Sequence, residues 1–364
     1  MNSSTSYVSR NNSTWIKGLL TVLIILGHNM VFTIPSNDYG IMSYLYTFHI
    51  QGFFILPFLY GIKNDKYTFH SAINTVTRFY WPYLILVTIF MIGYGSLTNF
   101  SNCNLDNILR LYILCSGNSI KQMCGIQIFW FLPAMMSLVL LKELFYRNGA
   151  AVQISLFILS ILYIGSSIYS NTSYEIKDMW QHTISSIPFG GGYALQMLAP
   201  GIILRRITEN IEYRQWHKKS LIISIICFLI GTTLYFKHVA FTIGKSDLNM
   251  VYAALQNIMP IIFIVLIQSA LQYANIKEYN VMLKIGEKSL YIYLISPFIG
   301  YIFFFICQYF GILYWWVGVL IWPLITLISY YAAKFLVRGN IERIIFPHDR
   351  DAFINIWRRC RISK

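Results

Sequence analysis

His28, His49 and Lys17 are the residues whose types and spacing could do chemistry in this chain. His28 lies deep in a long apolar run, as Leu26-Gly27-His28-Asn29. An imidazole titrates near neutrality, so it can serve as a general acid or base, or carry an acyl group for a moment. Ionisable groups inside an apolar span are costly and are functional candidates by default. Lys17 precedes His28 by 11 residues. On a helix that spacing is three turns plus about 20°, so the two would share a face, about 16–17 Å apart along the axis. A cation at the mouth and an acid/base group deep inside suit a long substrate with an anionic head and a reactive tip. Coenzyme A thioesters have that shape. The plainer alternatives are a core histidine satisfied by one interhelical hydrogen bond and a lysine that snorkels to the interface.

His49 sits in the next apolar run, as Phe48-His49-Ile50-Gln51. If that run descends from the outer face, His49 lies about 12 Å below its edge. His28 lies about 18–20 Å from the inner edge of a roughly 30 Å hydrocarbon core. The two histidines then stand at similar depth on consecutive antiparallel helices, where they could form a small polar site. Arg78 opens the third run as Arg78-Phe79-Tyr80-Trp81-Pro82-Tyr83. It reads either as an anion-binding group or as an ordinary interfacial arginine. Trp130-Phe131-Leu132 reads as an aromatic belt, and Tyr291 and Tyr293 as belt or packing residues. Gly190-Gly191-Gly192 reads as a close-packing point or a helix break.

The elements that must hold these residues are membrane helices. Hydrophobic residues make up 56% of the 364 and charged residues only 12%, about half the share in a soluble domain. That excludes a soluble enzyme, a disordered chain and a nucleic-acid binder. Ten runs are long enough to span: 15–34, 41–62, 79–98, 126–145, 151–169, 184–204, 220–236, 250–271, 289–310 and 312–335. Each is expected to be helical, because lipid satisfies no free backbone group. The fold class is therefore all-α, a polytopic membrane protein. Its parts are a short tail at 1–14, a ten-helix domain at 15–336 and a basic tail at 337–364.

The basic residues orient the spans. With the N-terminus inside, the inner segments hold 23 of the 28 Lys and Arg. The outer ones hold only Arg110, Lys121, Lys177, Lys237 and Lys245. This imbalance predicts both termini in the cytoplasm and an even number of spans. No removable signal peptide is expected. The outer loop 99–125 carries Cys103, Cys115 and Cys124; a pair could form a disulfide in an oxidising compartment, and the alternative is that all three are free. No P-loop, dinucleotide fingerprint, HExxH or GxSxG motif occurs, and the histidines do not cluster as metal ligands, so no metal is expected.

Read together and in order, these segments resemble the integral-membrane acyltransferase family 3, which includes bacterial polysaccharide O-acetyltransferases. Trp15-Ile16-Lys17-Gly18 through Gly27-His28 is similar to its basic-residue-x10-histidine signature. Phe48-His49 with Phe53-Phe54 is similar to its second-helix motif, and Arg78 with Pro82-Tyr83 to its third-helix start. Trp130-Phe131-Leu132 and Gly286 with Ser289-Leu290-Tyr291-Ile292-Tyr293-Leu294 match two later segments. The chain departs from the pattern at Ile50-Gln51, at Pro57-Phe58, at Ser296, where histidine is frequent, and at Ile16-Lys17, where an acid often precedes the glycine.

The resemblance implies an acyl-CoA donor, most simply acetyl-CoA, taken from the cytoplasm. It also implies a glycan or lipid-linked sugar acceptor on the outer side of a bacterial plasma membrane. His28 would be the base or acyl carrier, His49 would orient or polarise, and Lys17 and Arg78 would hold the donor's phosphates. The partners are then acyl-CoA, the acceptor and the bilayer, with no nucleic acid and with room for a homo-oligomer. The rival reading is a transporter that moves an acyl or sugar substrate without covalent chemistry. No inverted repeat supports it.

Overall fold

The computed structural model describes residues 9–36, 40–60, 69–171, 173–238, 249–273, 280–338 and 345–347. Most of the tail at 337–364 and the start of the tail at 1–14 lie outside the described residues. Among those described there is no strand, and the chain is an all-α, multi-pass membrane protein. The helices are α1 (Arg10–His28), α2 (Met30–Ser36), α3 (Ile41–Leu45), α4 (His49–Ile55), α5 (Phe69–Leu97), α6 (Leu105–Leu109), α7 (Gly117–Cys124), α8 (Phe131–Arg147), α9 (Ala150–Ser170) and α10 (Tyr174–Ser185). They continue as α11 (Gly191–Arg214), α12 (His217–His238), α13 (Met250–Leu271), α14 (Val281–Glu287), α15 (Ser289–Tyr309) and α16 (Trp315–Arg338).

Seven helical stretches among the described residues are long and apolar enough to cross a membrane. They fall on the third, fourth, fifth and seventh to tenth runs of the sequence. The other three runs are helical too, but none is one straight apolar rod. The first breaks at Asn29, whose ψ of 101° ends α1 before α2 begins. The second divides into α3, α4 and a 3-10 turn at Leu56–Leu59, entered through Pro57. The sixth starts only after a turn at Pro188–Gly190, with Phe189 at φ 57° and Gly190 at φ 65°. α11 continues beyond the run through Arg205, Arg206, Glu209, Glu212 and Arg214, which lower the helix's mean hydropathy. The glycine run thus marks the helix break. Gly190 also needs its lack of a side chain, since a Cβ there would fall 2.8 Å from that of Ala134.

One compact unit comprises Met1–Lys63, Ile164–Ile176 and Ala199–Phe335. Ser9 caps α1, its side chain accepting from the Asn12 amide at 3.1 Å. α1 then crosses α14 almost backbone to backbone. A Cβ on Gly18 would overlap the Met282 carbonyl, and one on Gly286 would overlap the Thr14 carbonyl. Small residues at such crossings let helices approach where lipid supplies no hydrophobic drive. Ile25 of α1, Ile285 of α14, Ile292 and Ile299 of α15 and Ile325 of α16 are buried in one apolar cluster. Elsewhere apolar side chains face outward. On α12, Ile222, Ile223, Ile226, Leu229 and Ile230 are each at least half exposed, as a lipid-facing surface requires.

The second unit comprises Asn64–Tyr163, Lys177–Leu198 and Leu336–Lys364. Here the Pro82-Tyr83 turn of α5 serves packing. Tyr80 donates to the Tyr112 carbonyl at 2.5 Å, and buried Tyr83 donates to the Leu111 carbonyl. Trp130 leans on the ring of Tyr193, 4.7 Å between centroids, while Phe131 and Leu132 are buried. Cys103, Cys115 and Cys124 are free thiols. Cys115 and Cys124 are buried, and burial pushes both thiols up to about 12.

Candidate active site

In the first unit, His28 is the last residue of α1 and His49 the first of α4. Each imidazole is held the same way. His28 Nδ1 bonds the Ile24 carbonyl at 2.8 Å, one turn back, and His49 Nδ1 bonds the Leu45 carbonyl. A carbonyl oxygen only accepts, so in the neutral ring Nδ1 carries the proton. Nε2 is then the basic atom of both rings.

The two rings meet around Tyr46. Its ring lies 6.4 Å from that of His28 and 4.8 Å from that of His49, the latter edge to face. Tyr293 of α15 closes the other side of His28, edge to face at 6.0 Å. His49 Nε2 presses against Gly27, where an added Cβ would stand only 2.9 Å away. His49 is fully buried, and among the described residues this Nε2 has no hydrogen-bond partner. A buried acceptor without a donor carries an unrecovered desolvation cost. It is satisfied once a hydroxyl or N–H enters.

The break after His28 is built, not frayed. Asn29 is buried, and its Nδ2 donates to the Gly318 carbonyl of α16 at 2.9 Å while its Oδ1 accepts from the Val31 amide. Gly318 admits this contact because a Cβ there would fall 2.5 Å from the Phe32 backbone. His28 therefore sits, half-buried, at a helix end that α16 holds in place.

Of the sequence candidates, the structure brings His28 and His49 together. Lys17 lies on the same unbroken α1 as His28, half-buried, about 16–17 Å away along the axis. Arg78 belongs to the second unit, where it is exposed with its guanidinium 5.5 Å over the ring of Phe79. Tyr46 and Tyr293 were not legible as site residues. Tyr46 is one of 27 tyrosines, and the one local signal was its place three residues before His49. Tyr293 is brought in by α15, from the far end of the chain.

The acyltransferase 3 family model, described as an acyltransferase domain, matches residues 10–334. No curated protein and no solved structure matches the chain.

Proposed function

The chain belongs to the acyltransferase 3 family, and from that premise we propose that it is an O-acetyltransferase that moves an acetyl group from cytoplasmic acetyl-CoA to a hydroxyl of a cell-surface glycan or its lipid-linked precursor. The observation that carries this reading is the pair of imidazoles around Tyr46, each anchored through Nδ1, with a buried and unsatisfied Nε2 on His49.

The chemistry follows from that arrangement. His28 Nε2 takes the proton of the acceptor hydroxyl as the oxygen attacks the thioester carbonyl. The new C–O bond forms and the C–S bond breaks. The imidazolium then returns its proton to the leaving thiolate, so the ring ends neutral. His49 Nε2 accepts a hydrogen bond from substrate and orients it. The i−4 carbonyl bonds hold both rings in one tautomer, which supplies preorganisation rather than new binding energy. Should His28 instead carry the acetyl group, the same Nε2 is the nucleophile: it takes the acetyl from the thioester, the thiol leaves, and the acceptor hydroxyl then takes the acetyl from Nε2.

Lys17 would meet the donor's phosphates at the cytoplasmic mouth. The pantetheine arm would then cover the distance along α1 to His28. Arg78 is the second proposed phosphate contact. The protein is expected in a bacterial plasma membrane.

The test is transfer of labelled acetyl from acetyl-CoA by protein reconstituted in vesicles, followed to a glycan acceptor or, without one, to water. His28→Gln at wild-type expression and thermal stability should abolish the signal. Transfer within about threefold of wild type, against the 10²- to 10⁴-fold that a general base is worth, sinks the assignment and favours a transporter.

A further inference from the structure

A second feature lies on the other side of α1. The packing of α1, α14 and α16 leaves a groove of about 490 Å³ in the first unit. Its apolar lining includes Val22 of α1, Ile285 of α14, and Trp322 and Leu327 of α16. Two lysines line it as well, Lys284 from α14 and Lys334 from α16. Trp322 is fixed in the lining, its Nε1 donating to the Val22 carbonyl at 2.8 Å.

The groove is not the histidine site. Val22 precedes Gly27 by five residues, about 140° around the helix, and Gly27 is the residue that meets His49. Its level on α1 is also different. Its α1 lining residue, Val22, lies six residues before His28, about 9 Å along the axis toward the crossing with α14 at Gly18. That is the end of the unit where Arg10 and Lys17 lie, and where the charge count puts the cytoplasm.

An apolar lining at membrane depth with two cations near an interface is complementary to one class of molecule. Basic pockets between helices on the cytoplasmic side recognise anionic headgroups. Lysine stems lie along apolar surface while the ammonium reaches the phosphate. Neutral lipid would cover the lining equally well, so the lysines are what select. We propose that this groove is a specific site for an anionic glycerophospholipid of the inner leaflet, its phosphate between Lys284 and Lys334 and an acyl chain along Trp322 and Ile285.

The test uses the full chain in a neutral detergent, titrated with phosphatidylglycerol or phosphatidylcholine, with thermal unfolding and co-purifying phospholipid as the two readouts. Phosphatidylglycerol should raise Tm by several degrees and phosphatidylcholine should not, because ligand bound only to the folded state stabilises it. The double variant Lys284→Gln/Lys334→Gln should bind phosphatidylglycerol roughly 25-fold more weakly, the product of two lysine contributions near a membrane surface. Its acetyl transfer should stay at the wild-type level. Equal shifts from both lipids, or an undiminished phosphatidylglycerol shift in the variant, overturn the proposal. So does inorganic phosphate reproducing the shift, which makes this a free-anion site. Loss of acetyl-CoA affinity in the variant would make the groove part of the donor path, and also overturns it. If the double variant does not fold, Lys334→Gln alone carries the same comparison.

Discussion

At the scale of single residues, the site depends on what each imidazole nitrogen touches. The Nδ1 bonds to Ile24 and Leu45 cost nothing in reach, because both partners lie one turn back. They leave Nε2 as the working atom. His49→Ala should therefore reduce acetyl transfer less than His28→Gln, since it removes an orienting group rather than the base. The readout is kcat for both variants in the same vesicles, and equal losses would make the two histidines one functional unit. Gly27 is the sharper probe. An alanine there puts a methyl carbon 2.9 Å from His49 Nε2, while the ring is tied at its other nitrogen. Gly27→Ala should cost at least tenfold in kcat per folded molecule, on the order of what a small misplacement of catalytic groups costs, together with a modest fall in Tm from overpacking. Wild-type kcat in Gly27→Ala would mean that the His49 position is not critical.

At the scale of elements, helix crossings decide where these residues stand. α1 holds Lys17 and His28 on one rod, and its crossing with α14 is set by Gly18 and Gly286. The obstructing atoms are backbone carbonyls, which cannot turn aside as a side chain can. Gly286→Leu should lower stability by about 1–3 kcal/mol or more, the usual cost of overpacking. It is read as a fall in Tm in detergent, and an unchanged Tm would show that α14 can shift freely. Lys17→Ala tests the other end of the rod. It should weaken acetyl-CoA binding while leaving Tm within a degree or two. Unchanged donor affinity would leave Lys17 as an interfacial lysine.

At the scale of the whole molecule, the distribution of Lys and Arg sets the orientation. Reporter fusions after Lys121 and after Lys219 should read outside and inside respectively, and the reverse at either site breaks the ten-span arrangement. Cysteine labelling gives an independent check. Cys103 is exposed, whereas Cys115 and Cys124 are buried with thiols pushed up to about 12. At pH 8 the buried pair holds almost no thiolate, the reactive form. A membrane-impermeant maleimide added to intact cells should label a Cys103-only variant quickly. Single-cysteine Cys115 and Cys124 variants should react slowly until the protein is unfolded. Fast labelling of all three would contradict their burial.

The class of the protein was legible in the sequence because hydropathy is a local property. Among the described residues the apolar runs are helical, seven of them in single stretches long enough to cross a membrane, since a stretch in lipid has no other way to satisfy its backbone. His28 stood out for the same reason: it is an ionisable group among apolar neighbours, whatever the rest of the chain does. Local hydropathy does not report where a helix breaks to serve a site. The stop at Asn29 needs the Gly318 carbonyl, 289 residues away. Counting residues gave the expectation that His28 and His49 share one polar site, but not their meeting around Tyr46, with Tyr293 beside His28. Nor did it give the lysine-lined groove, which exists only once α1, α14 and α16 are packed. Tertiary structure decided these points because they depend on which faces of distant helices fit together, and fit is a matter of volume and close approach at positions such as Gly18, Gly27 and Gly318.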